Sequence, residues 1–166
     1  MRNILSALSA PLIAAALLSA PLAQADMAKD FKEAARQKAA GAAAEKLGIP
    51  STAPDGAKAY IISPKDGDTV SGPVKVQFGL SGMGVAPAGT QVENTGHHHL
   101  LIDDPKVDLA TALPSSDQVK HFGKGQTETT LDLKPGKHTL QLIFADWKHQ
   151  PFNPSVSSDK ITITVK

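Results

Sequence analysis

Three consecutive histidines, His97-His98-His99, open the stretch Asn94–Asp104, NTGHHHLLIDD, in a chain with six histidines and no cysteine. Imidazole is costly to bury without a partner. In its neutral form it is also a ligand for transition metals. Leu100, Leu101 and Ile102 mark the stretch as a strand, in which alternate residues share a face. His97, His99, Leu101 and Asp103 then point one way, and His98, Leu100 and Ile102 the other. Leu100 and Ile102 are the expected core pair, because Asp103 is hard to bury beside Leu101. His98 therefore enters the edge of the core, while His97 and His99 project together as a chelating pair. Two imidazoles at i and i+2 need further ligands to complete a tetrahedral or tetragonal site.

Few residues can supply them. His121 falls in VKHFGKGQTE, read as a loop from its glycines. His149 falls in ADWKHQPFNP, just beyond an alternating strand, with Asp146 three residues before it. Met83 sits in the Gly-rich SGMGVAPAG. If the loops converge at one end of the fold, His97, His99, His121 and His149 form a three- or four-imidazole set. Asp146 then orients a ring or ligates directly, and Met83 supplies a further contact. Nitrogen donors without thiolates suit Cu(II) or Zn(II), and a Met83 thioether would tilt the choice to copper, including Cu(I). The sixth histidine has a structural reading. Leu133-Lys134-Pro135-Gly136-Lys137-His138 resembles a tyrosine corner with His138 in the tyrosine's place, which would bond nearby backbone. Enzyme motifs are missing: there is no G-x-S-x-G, H-E-x-x-H or phosphate-binding loop. GKGQTETT precedes a strand and not a helix, and Ser115, Ser116 and Asp117 read as a turn. The expectation is a protein that is not an enzyme.

The elements that must position these residues are short strands. Val74, Val76, Phe78 and Leu80 alternate with polar or small residues. So do Leu131 and Leu133, His138 to Phe144, and Ile161, Ile163 and Val165. Turn signals separate them, at Ser63-Pro64-Lys65-Asp66-Gly67, Ser71-Gly72-Pro73, Pro87-Ala88-Gly89 and Lys134-Pro135-Gly136-Lys137. The pattern implies an all-β chain folded as an immunoglobulin-like β-sandwich over residues 59–166. Residues 26–58 differ in composition. Met27, Phe31 and Leu47 are the only large apolar residues of an Ala-rich, helix-forming stretch that ends near Gly48, followed by the linker PSTAPDGA. Residues 1–25 have the form of a secretory signal peptide: a basic start at Arg2, an apolar run from Ile4 to Leu18, and Ala23-Gln24-Ala25 before Asp26. Cleavage after Ala25 would release a periplasmic protein with no stable membrane insertion. It removes Arg2 and no acidic residue, leaving a chain of zero net charge where the full one carries +1. A neutral surface argues against nucleic-acid binding.

GMGVAPAG, NTGHHHLLID, HFGKGQTETTLDLKPGKHTLQL and KITITV, in that order, resemble an uncharacterised family of small secreted bacterial immunoglobulin-like domains, some of whose members are mislabelled ATPase. A wider set of extracellular domains has similar G-H-x-H-L, G-x-H-T-L and A-D-x-x-H elements. The resemblance implies that His97, His99, Asp146 and His149 work as a set. The functional expectation is a periplasmic protein that binds a transition metal, copper ahead of zinc, for sequestration or delivery to a periplasmic protein partner. The alternative is a non-catalytic interaction module for an envelope protein or glycan, with Trp147 and Phe152 as exposed contact residues.

Overall fold

The structure, a computed structural model, describes residues 20–47 and 49–166. The apolar run of the expected signal peptide lies outside the described residues. The chain divides into two compact units, Met1–Ala42 and Ala43–Lys166. A single helix, α1 (Ala20–Lys46), supplies the described part of the first and runs past the expected cleavage point at Ala25. Its alanines and long charged residues are good helix formers, and Lys46 in the last turn complements the helix dipole. Met27 and Phe31 remain exposed, as expected for a helix without an apolar stripe. No described helix is long and apolar enough to cross a membrane.

The second unit is built from β1 (Lys58–Ser63), β2 (Thr69–Val70), β3 (Val74–Ser81), β4 (Gly84–Val85), β5 (Thr95–Ile102), β6 (Val119–His121), β7 (Glu128–Leu131), β8 (Gly136–Ala145) and β9 (Ile161–Val165). One sheet has the order β1-β3-β7. The larger runs β2-β9-β8-β5-β4, with β6 also paired to β5. Their inner faces share one apolar core: Ile61, Val76, Phe78 and Leu131 from the smaller sheet, and Leu100, Ile102, Leu142, Phe144 and Ile163 from the larger. The fold is all-β, as the period-two pattern implies.

Three local readings change. β5 is buried from Gly96 to Ile102 and not on one face alone. Leu101 joins Leu113, Val119, Ile143 and Ala145 in a second apolar cluster, with Val107 packed against it. The chain between β5 and β6 thus covers the outer face of the central strand, and a strand covered on both faces loses the alternation of burial. The strand expected around Leu131 and Leu133 stops at Leu131, which pairs with Val74 at the start of β3. Finally, residues 50–57 do not run free as the linker reading expected. Ala53 is buried in the main core, and the Ser51 carbonyl accepts a hydrogen bond from Asn153 N at 2.9 Å.

Candidate metal centre

β5 places the histidines, and its register decides which imidazoles meet. It pairs with β8 through His97↔Ala145, His98↔Phe144 and His99↔Ile143. On its other side it pairs with β6 through His99↔His121. His98 points into the core, as expected, with its ring 5.3 Å from that of Phe78 and 5.0 Å from that of Phe144. His97 and His99 emerge on the opposite face, beside the second apolar cluster. His121, expected on a loop, lies in β6 directly across from His99, so strand pairing holds it on that same face. His149 arrives from the turn that follows β8.

His99 Nε2 and His97 Nε2 stand 3.1 Å apart. One donor nitrogen from each of His97, His99 and His121 lies within 4.8 Å of the others. The His149 ring centroid is 4.9 Å from that of His97, 4.7 Å from His121 and 5.9 Å from His99. Four imidazole rings from β5, β6 and the turn after β8 therefore cluster, and the donor atoms that lie within 4.8 Å of one another are those of His97, His99 and His121. His97 and His99 are completely buried, and His121 and His149 are half-buried towards solvent. Two ligands at about 2.0–2.1 Å from one ion stand about 2.9 Å apart at a right angle and about 3.4 Å apart at the tetrahedral angle. The spacing of the His97 and His99 nitrogens falls between these.

Three of the four rings are pushed towards the neutral form. Burial pushes His97 down to about 4, with the neighbouring His149, His121 and His98 adding to the effect. His99 is pushed down to about 3 by burial, then by His97, His121, His149 and His98. His121 is lowered by burial and by His149. Added protons in so small a volume would repel one another, so these three rings stay neutral at neutral pH, and across the His97–His99 Nε2 contact one ring donates a hydrogen bond to the other. The polar bookkeeping is incomplete: Nδ1 of His97, Nδ1 of His99 and Nε2 of His121 are buried without a hydrogen-bond partner. An imidazole bound to a metal usually passes its other N–H to a carbonyl or carboxylate. Here the buried rings are held by packing against one another and by the strands beneath them.

Two glycines make room. A Cβ on Gly123 would lie 2.3 Å from Cε1 of His121, and one on Gly96 would lie 2.1 Å from the Ala145 carbonyl oxygen. Gly96 opens the G-H-x-H-L element, whereas Gly123 carries no signal in the sequence, where Phe122-Gly123-Lys124 reads only as loop.

The other candidates are used differently. Asp146 is buried, but its carboxylate accepts from Lys148 N (2.9 Å), Gln150 N (3.0 Å) and Ser51 Oγ (2.9 Å). It shapes the turn that carries His149 and contacts no imidazole through these bonds. Met83 is partly buried against the main core, which takes the thioether away from the reading that favoured Cu(I). Phe152, expected to be exposed, is buried and stacked on Phe144 with centroids 6.1 Å apart. Trp147 is half-buried. His138 bonds backbone as the tyrosine-corner reading expected: its Nε2 donates to the Lys134 carbonyl at 2.9 Å. Its Nδ1 also donates to Asp103 at 3.0 Å. Both partners are acceptors, so the ring is fully satisfied only as imidazolium. Burial alone would lower its pKa, but these two bonds and the Asp103 charge raise it above the ordinary value.

An all-β domain with a partly buried imidazole group on the outer face of its larger sheet is the class that fold and site define. Residues 76–166, more than half of the chain, match the family described as domain of unknown function DUF4399. The chain belongs to that family. No curated protein matches it. Among solved structures, the endo-β-1,4-mannanase of Thermotoga petrophila is similar over 66% of this chain and 20% of that one, with 22% identity and a TM-score of 0.39. This chain thus spans about a fifth of the mannanase, and at that score the likeness defines neither a shared fold nor a shared activity.

Proposed function

We propose that this protein is a periplasmic, immunoglobulin-like β-sandwich that binds one transition-metal ion through His97, His99 and His121, with His149 as the fourth ligand. It would serve sequestration or delivery and not turnover. The observation that carries this reading is the convergence of three imidazole donors within 4.8 Å. The donors are neutral at physiological pH and two of the rings are wholly buried. Charge-neutral nitrogen donors favour Cu(II), then Zn(II), because affinity for such sites peaks at copper along the first-row series. The signal-peptide pattern supports a periplasmic location. The alternative, an interaction module for an envelope protein or glycan, has less support, since Phe152 is buried and the aromatic patch it requires shrinks to Trp147.

The test is titration of the purified protein with Cu(II) and Zn(II), beside His121→Ala and the double variant His97→Ala/His99→Ala. The expected result is one-to-one binding, tighter for Cu(II), weakened in His121→Ala and lost in the double variant, with circular dichroism confirming that each protein is folded. Weak binding equal in all three proteins would sink the metal reading.

A further inference from the structure

Three of the four imidazoles stand on paired strands, and His149 does not. Its backbone is left-handed, with φ at 69°, a conformation that residues other than glycine adopt in only a few per cent of cases, histidine more often than most, and that is held by the surrounding structure. His149 N donates to the Asp146 carbonyl at 3.0 Å, Asp146 N to the Gln150 carbonyl at 2.9 Å, and Leu113 N to the His149 carbonyl at 2.9 Å. Asp146 Oδ1 accepts from Lys148 N and Gln150 N, the residues on either side of His149. The remaining oxygen, Oδ2, accepts from Ser51 Oγ at 2.9 Å, across 95 positions of chain. Ser51 is itself fixed, since its carbonyl takes Asn153 N and Ala53 is buried in the main core two residues on.

We infer that residues 51–53 form a strap that holds His149 in its ligating position, with Ser51 acting through the Asp146 carboxylate as a positioning residue. This rests on the metal reading above, because it concerns the fourth ligand of that site. With the strap docked, the carboxylate is anchored at both oxygens and the turn presents His149 to the other three rings. With the strap undocked, Asp146 loses its tether and His149 leaves first, while His97, His99 and His121 stay on their strands. The strap therefore sets how firmly the ion is retained.

The experiment measures Cu(II) affinity of the full chain by competition with a chelator, in a double-mutant cycle of Ser51→Ala and His149→Ala. Loss of a partner behind a metal ligand typically weakens binding about 10–100-fold. Ser51→Ala is expected to weaken Cu(II) binding about tenfold alone and to have no further effect in the His149→Ala background. Ser51→Thr, which keeps the hydroxyl, restores affinity. An equal loss in both backgrounds, or none in either, overturns the proposal. The metal-free protein gives a second readout: NMR signals of the His149 ring should shift and broaden in Ser51→Ala, and unchanged signals count against the strap. If the parent protein binds neither Cu(II) nor Zn(II), the metal reading fails, and the NMR result still decides whether Ser51 positions His149.

Discussion

His98 separates burial from chemistry among three histidines adjacent in sequence. It has no solvent exposure, packs on Phe78 and Phe144, and neither ring nitrogen has a hydrogen-bond partner. A buried polar group left unpaired costs about 1–3 kcal/mol. His98→Leu should therefore raise unfolding free energy by about 1–2 kcal/mol in urea denaturation and leave metal affinity unchanged, because the ring lies on the other side of β5 from the imidazole group. A loss of stability would mean that His98 has a partner it depends on. Gly123 tests the opposite case. A methyl group there meets the His121 ring at 2.3–2.4 Å, so Gly123→Ala must push the imidazole aside. The expected outcome is weaker metal binding by calorimetry with a nearly unchanged melting temperature. At this scale the pair His97 and His99 was legible from i, i+2 spacing alone. The bonds of the Asp146 carboxylate to Lys148 N, Gln150 N and Ser51 Oγ are not legible there, since sequence shows a carboxylate near a histidine and not which hydrogen atoms it faces.

At the scale of elements, the site depends on β5 lying close against β8. Gly96 permits this: the side-chain face of its Cα meets the Ala145 carbonyl so closely that any Cβ would overlap it. Gly96→Ala must separate the strands next to His97, and overpacking of this kind typically costs about 1–3 kcal/mol. The expectation is an unfolding free energy lower by about 1–3 kcal/mol together with weaker metal binding, both read from one sample. Unchanged affinity would show that the register beside His97 tolerates displacement. The strands themselves were legible because apolar residues recur with period two, and turn residues bound them. His121 was harder. Three residues, Val119–His121, are too few to show a period, and they become a strand only because Leu101, Leu100 and His99 are there to pair with them.

For the whole molecule, acidity is the lever. His97 and His98 titrate near 4 and His99 near 3 when folded, against 6.5 for a free imidazole. Their folded values are lowered, so the unfolded chain binds more protons below about 6.5. Their contribution to stability is complete above that pH and is lost as pH falls towards 4 and then 3. His138 works in the other direction: its raised pKa gives stability that is present below about 6.5 and lost as pH rises through its folded value. Three strongly lowered groups outweigh one raised group. Chemical denaturation of the metal-free protein should therefore show a midpoint that falls steadily from pH 7 to pH 4. A midpoint independent of pH would mean that the histidines are solvated. Saturating Cu(II) should raise the midpoint by mass action and shift the acid transition to lower pH, because a bound ion keeps the rings deprotonated.

Alternation, turn residues and an apolar run through HHHLLI are properties of a local stretch, and local stretches determined the all-β class, the helical extension and the facing of His97 and His99. The meeting of His121 and His149 with that pair required pairing between strands far apart in the chain, and no local pattern records it. The same holds for Ser51. Nothing in Pro50-Ser51-Thr52 distinguishes it from a linker, because its hydroxyl acquires a partner only when Ala53 is buried and Asp146 is brought within 2.9 Å. Periodicity determined which way the side chains point, and tertiary packing decided which of them meet.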